Sequence, residues 1–348
     1  DAVQAVQGYQ VGGVILFGRN VESAEQLAAL TNGLKELNGD YTPLFLCVDQ
    51  EGGRVDRMPP EVSRTPSAWS VGQTLDTEGV GVSYGELLAA ECAAFGFNMD
   101  FAPSLDIWSN PDNTVIGDRA FGNDWEWTAF FGMSAVEGME KQGTVIPVVK
   151  HFPGHGDTAV DSHTALPVVD KTLEDLWQSE LVPFDMVLSG QFWGEPVMEP
   201  TPAVMVAHIL LSQIDPDNPA SLSPEVVTGL LREEMGYEGV VCTDDLTMGA
   251  ISNTYGMGEA AVLAVEAGCD LLLVCHGADN LAEAHAALVE AVDSGCIPEE
   301  RLDESVYRVL SLKTVYGLSN APVEAPDIEA LNDRIAALER SIEADTSQ

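Results

Sequence analysis

Basic residues are scarce in this sequence: 15 Lys and Arg face 56 Asp and Glu over 348 residues, a formal net charge of −41. Such a surface repels phosphate backbones and anionic headgroups, so nucleic acid and anionic lipid are poor partners. It fits a protein adapted to salt or to life outside the cytoplasm. No run of about 18 uncharged apolar residues occurs, so no membrane span is expected. The GxGxxG and GxxxxGK[ST] patterns are missing, and the nucleotide-binding classes built on those phosphate cradles go with them. The six cysteines show no CxxC or finger-like Cys/His spacing, which leaves zinc ribbons and redox dithiols without support. Cys47, Cys242 and Cys275 lie in or at the end of apolar runs and read as buried thiols.

What is present is an alternation of short apolar runs with longer amphipathic stretches. The strand-like runs are residues 11–17, 44–49, 98–102, 145–150, 203–209, 239–244 and 270–275. The helical stretches between them include 23–37, 125–143, 173–188, 223–236 and 278–295. Near-continuous apolar strands separated by helices indicate a parallel sheet covered on both faces. Polar residues gather at the C-terminal end of almost every run: Asp49-Gln50-Glu51, Asp106, Lys150-His151, His208, Asp244-Asp245 and His276. In a (β/α)8 barrel those ends converge on one mouth, whereas a doubly wound sheet concentrates them at a switch point. The expected fold is therefore a (β/α)8 TIM-type barrel.

Only seven runs are found, and a helix-like stretch at 2–10 feeds directly into the first. The barrel, residues 1–318, is thus expected to lack its first strand in this chain, unless a strand hides between Asp56 and Gly79. Residues 319–348 read as a linker and a short amphipathic helix. Their stripe Ile328, Leu331, Ile335, Leu338 and Ile342 suits docking on the same domain, with a coiled-coil contact or a linker to a further domain as the alternative.

Four segments carry chemistry. The first is KHFPGHGD, residues 150–157, followed by Asp161-Ser162-His163. The i,i+4 spacing of His151 and His155 suits zinc only on a helix, and Pro153, Gly154 and Gly156 oppose one. No metal site is expected. In extended backbone Asp161 and His163 point the same way, so the carboxylate can hold one ring nitrogen and free the other for proton transfer. The second segment ends VVCTDD at Asp244-Asp245, where one carboxylate can face inward while the other caps the following turn. The third, DQEGGRVDR (49–57), and the fourth, GDRAFG (117–122), supply carboxylates and guanidinium groups suited to dense sugar hydroxyls. A loop-bracing Arg–Asp network is the plain alternative for these two.

Taken in order, GGVILFGRN, VDQEGGRVDR, FAPSLDI, IGDRAFG, KHFPGHGDTAVDSH, VMVAHI and GVVCTDDLTMGAI resemble the family 3 glycoside hydrolases, specifically their β-N-acetylglucosaminidase branch. The resemblance spans residues 11–317. It implies a retaining mechanism with Asp244 as nucleophile and His163 as acid/base, oriented by Asp161. It places Asp49, Arg57, Arg119, Lys150 and His151 on sugar-binding positions, and implies no metal or organic cofactor. The expected partner is a carbohydrate that bears β-linked N-acetylglucosamine, such as a peptidoglycan fragment. One departure stands out: the connection 189–202, with Phe192 and Trp193, is longer than usual. Competing readings are a related β-glucosidase, a phosphorylase, and a silent glycan-binding protein. The intact set Asp161, His163 and Asp244 argues against the last.

Overall fold

A computed structural model describes residues 2–76, 79–158, 162 and 165–346. Seven parallel strands form one sheet: β1 Gly13–Ile15, β2 Phe45–Val48, β3 Met99–Asp100, β4 Ile146–Phe152, β5 Ala203–Val206, β6 Val240–Asp245 and β7 Leu271–Leu273. They are hydrogen-bonded in chain order, each next to its predecessor. That order is the signature of successive right-handed βα units wound one way. The sheet curls into a TIM-type barrel short of one strand. No strand appears among the described residues between Asp56 and Gly79.

The open side lies between β1 and β7, and side chains span it. At the mouth, the Phe17 and His276 rings stack at 5.9 Å and 24°, with the Arg19 guanidinium 4.4 Å from the Phe17 centroid. At the opposite end, Lys313 donates through Nζ to the carbonyls of Gly12 and Pro43 at 2.8 and 2.6 Å. Burial lowers the Lys313 ammonium to about 8, with Cys47 opposing that shift.

The outer layer is helical: α1 Ala24–Asn38, α2 Val80–Ala94, α3 Trp125–Gln142, α4 Leu181–Ser189, α5 Met257–Ala267, α6 Ala278–Asp293 and α7 Glu299–Val315. Caps start them where the sequence offers them. Ser23 accepts from the Gln26 amide and Asp124 from the Trp127 amide. The stretch 173–188 is two helices rather than the single one expected, Leu173–Trp177 and α4. Pro183 lacks an amide hydrogen and is tolerated only in a first turn, which forces the chain to break before it. The stretch 223–236 winds as a π-helix over Glu225–Glu234. The C-terminal helix α8, Ile328–Thr346, buries Leu331, Ile335 and Leu338 in the same core cluster as Leu87 and Leu88 of α2.

Helices α2 and α3 cross unusually closely, because glycine removes the side chains at the contact. A Cβ on Gly138 would lie 2.1 Å from the Val82 carbonyl oxygen, and one on Gly85 1.9 Å from that of Ala135. Gly138→Ala should therefore destabilise by about 1–3 kcal/mol, the cost of overpacking. Gly33, exposed in the middle of α1, meets nothing within 4 Å. Gly33→Ala should stabilise by roughly 0.5–1 kcal/mol. Urea denaturation of both variants checks the opposite signs.

Candidate active site

Strand parity decides which side chains reach the mouth. Phe45 and Cys47, Ile146 and Val148, Ala203 and Met205, and Val240 and Cys242 share one core inside the barrel. Their alternates Leu46, Val48, Val149, Val204 and Val241 pack outward into the helical layer. One further step of two carries the inward rows to Asp49, Lys150 and Asp244. All three line a cleft of about 500 Å³ at the C-terminal ends of the strands. Arg57, Arg119 and His151 line the same cleft.

A charge network fixes its wall. Glu51, buried, takes Arg119 in a two-pronged contact: Nε to Oε2 and Nη2 to Oε1, both 2.8 Å. Lys150 Nζ lies 2.5 Å from Glu51 Oε1 and 2.6 Å from Asp49 Oδ1. Burial alone would raise the Glu51 carboxyl, but Arg119 and Lys150 outweigh it and hold the group well below the usual carboxylate range. Arg119 also places Nη2 3.2 Å from His151 Nε2, while His151 Nδ1 lies 2.6 Å from Asp106 Oδ2. A guanidinium can only donate, so Nε2 accepts and Nδ1 carries the hydrogen given to Asp106. Asp106 also accepts from Ser104 Oγ and the His155 amide. Burial opposes ionisation of Asp106, and His151 and His155 overcome it.

Behind this wall sits a second carboxyl. Gln50 Nε2 donates to Glu91 Oε2 at 2.9 Å, Thr65 Oγ1 donates to Oε1 at 2.5 Å, and Gln50 Oε1 accepts the Arg57 amide at 2.8 Å. Arg57 thus hangs from a relay that starts in α2, and its buried Nε finds no partner among the described residues. Arg54 instead braces a loop: it pairs with Asp118 at 2.9 Å and donates to the carbonyls of Thr114, Val115 and Ile116.

The two aspartates that end β6 divide their roles. Asp244 faces the cleft, and its Oδ1 accepts the Asp245 amide at 2.7 Å. Burial pushes its carboxyl up, yet His208 nearby and this amide leave it below the ordinary value. Asp245 caps the turn through the Thr247 amide and hydroxyl, and accepts the Cys275 amide across the barrel wall at 3.0 Å.

Asp161 and His163 lie outside the described residues. Ser162 between them is described: it is buried, lines the cleft, and its carbonyl accepts the Ala250 amide at 3.0 Å. Its Oγ lies 3.1 Å from His155 Nε2, and His155 Nδ1 meets Thr158 Oγ1 at 2.7 Å. His151 and His155 therefore serve different networks. Glu51 and Asp106 were not singled out from the sequence as site residues. Both stand among the polar strand-end groups, the one signal that could have promoted them.

Fold and cleft together define a TIM-type barrel whose mouth presents an ionised carboxylate amid cations and hydrogen-bonding groups. The chain belongs to glycosyl hydrolase family 3; the family model described as the glycosyl hydrolase family 3 N terminal domain matches residues 1–312. Beta-hexosaminidase A of Pseudoalteromonas piscicida is 33% identical over 341 residues, covering 91% of this chain and 56% of that protein. A beta-hexosaminidase of Methylococcus capsulatus is 37% identical over 285 residues, 81% of this chain and 80% of the relative. The solved family 3 beta-N-acetylglucosaminidase of Paenibacillus sp. FPU-7 superposes with a TM-score of 0.89 at 41% identity, over 97% of this chain and 64% of its own. This chain thus spans between half and two thirds of the first and last of these. Among the described residues no helix is long and apolar enough to cross a membrane.

Burial pushes the Glu91 carboxyl up to about 8, from an ordinary glutamate value of 4.5. Between those values the folded state holds a proton that the unfolded state has lost, so stability falls as pH rises through this window. Glu91→Gln should remove the slope, up to about 1.4 kcal/mol per pH unit. Urea titrations at pH 5 and pH 8 check it: the variant should lose less stability than the parent across that interval.

Proposed function

We propose that this chain is the catalytic barrel of a retaining β-N-acetylglucosaminidase, releasing terminal non-reducing β-linked N-acetylglucosamine from peptidoglycan-derived fragments or related glycans. The observation that carries the reading is Asp244. It is an ionised carboxylate in the inward row of β6, in a cleft shared with Asp49, Arg57, Arg119, Lys150 and His151. The names of the relatives support the sugar, since they include beta-hexosaminidases and a beta-N-acetylglucosaminidase.

Asp244 attacks the anomeric carbon and forms a glycosyl ester, while His163 gives its proton to the departing glycosidic oxygen. Water then attacks the same carbon, His163 takes the water's proton, and Asp244 leaves as carboxylate. Asp161 holds the His163 ring and stabilises its cationic form. Ser162, flanked by these two residues, lines the cleft and is tied to Ala250, six residues after Asp244; this supports bringing both groups to one sugar. Lys150, Arg57 and Arg119 donate to sugar hydroxyls, and Asp49 accepts from them. An imidazolium that gives up its proton leaves a neutral ring, whereas a carboxylic acid would leave a second anion beside Asp244, whose repulsion would disfavour ionisation of the nucleophile.

Incubation with a 5-fluoro-N-acetylglucosaminyl donor followed by peptide mass analysis should place one label on Asp244. A label elsewhere, or release of the inverted anomer, overturns this mechanism. His163→Gly should slow substrates with poor leaving groups roughly 10²–10⁴-fold. Dinitrophenyl glycosides, which need no proton to depart, should be slowed far less. Equal losses on both substrates would remove the acid role.

A further inference from the structure

The long connection after α4 folds into a hairpin that the cleft does not use. Gln191–Phe192 pairs antiparallel with Glu195–Pro196, joined by the two-residue turn Trp193-Gly194. Both turn residues have positive φ, 52° and 80°. Hairpin turns of this mirror-image kind suit Asn or Gly at the first position, and a bulky side chain there is strained. Trp193 is also 67% exposed, so its ring does not repay that strain by burial. Strain and exposure at one large aromatic residue point to a role outside the fold.

The ring is nonetheless held in place. Trp125 meets it edge-on at 5.6 Å and 79°, and Phe192 stands 6.1 Å away at 74°. Trp125 and Phe192 both pack on the main core cluster, so they form a fixed backing for a projecting indole. Trp125 opens α3, and in this fold helix N-termini stand at the end where the strands reach the mouth. The platform lies on the outer surface where the start of α3 meets the connection after α4, outside the lining of the cleft.

Charge selects the occupant. Glu126 and Glu195 flank these rings, both exposed, in a protein of net charge −41. A second copy or an anionic surface is repelled. An uncharged sugar chain is not: its C–H faces lie against indole, and its hydroxyl and acetamido groups donate to the carboxylates. We infer that Trp193, backed by Trp125 and Phe192, is a surface contact for an uncharged N-acetylated glycan, holding a chain longer than the cleft accommodates. The choice of an N-acetylated sugar rests on the activity proposed above.

The test uses affinity electrophoresis in gels with and without glycol chitin, alongside kinetics on N-acetylchitohexaose and on 4-nitrophenyl N-acetyl-β-glucosaminide. Trp193→Gly should lose most of the retardation and raise the hexaose KM by roughly 3- to 10-fold, the range of one aromatic contact. Its kcat/KM on the aryl glycoside should stay within about twofold, since that substrate fills only the cleft. Glycine accepts the positive φ, so Tm should hold or rise. Trp193→Phe should restore part of the retardation. Unchanged retardation and hexaose KM overturn the proposal, as does a sedimentation shift from dimer to monomer in Trp193→Gly, which would make the patch a self-contact. Retardation needs no turnover: an absence of hydrolysis on every glycoside would defeat the proposed activity and leave this contact to be judged by the gel.

Discussion

The Glu51 carboxylate, shared by Arg119 and Lys150, is the interaction on which the rest of the mouth depends. Three charged groups are withdrawn from water there, and each is tolerated only because the others are present. Removing one member of such a buried set typically costs about 3–5 kcal/mol, since a charge is left without compensation. The set also joins distant pieces of chain: the end of β2, the end of β4 and the turn Gly117–Arg119. Through Arg119 it reaches His151 and Asp106, and through Lys150 it reaches Asp49. The cleft wall is consequently one connected electrostatic unit.

That unit stands on an apolar barrel whose strands differ little from one another. Two-residue periodicity puts Cys47, Val148 and Cys242 in one inward layer, and the next layer is polar: Asp49, Lys150 and Asp244. Apolar packing therefore sets the height and direction of the reactive groups, and the ion network sets their charge. Asp244 combines both effects. Burial disfavours its ionised form, and the dipoles and imidazole around it restore that form. A carboxylate partly stripped of water yet kept anionic suits attack on an anomeric carbon.

All seven strands were legible as apolar runs, because buried parallel strands need little else. The polar ends of those runs marked the mouth for the same reason: a charge beside an apolar core is tolerated only at a strand terminus that opens on solvent or a ligand. The stretch 173–188 reads as one continuous helix because its apolar pattern runs on through the break at 178–180, ahead of Pro183. Glu51 and Asp106 were underrated because their importance lies in their partners. Arg119 and His151 come from other strands and loops, and no local pattern shows that they meet. The Glu91–Gln50–Arg57 relay was invisible for the same reason, since 41 residues separate Glu91 from Gln50. Phe192 and Trp193 stand out in the sequence only as part of a long connection, and the turn that holds Trp193 at positive φ appears only in the folded backbone.

By itself, the sequence determined the family, the barrel class and the identity of the polar groups at the mouth. Those follow from local rules: periodicity, strand-end chemistry and motif order. The tertiary structure decided which of two adjacent aspartates faces inward, which cation neutralises which carboxylate, and how side chains bridge the open side between β1 and β7. These outcomes depend on through-space electrostatics and on parity measured against a three-dimensional core, where residues 100 or more positions apart, such as Asp49 and Lys150, become neighbours at 2.6 Å.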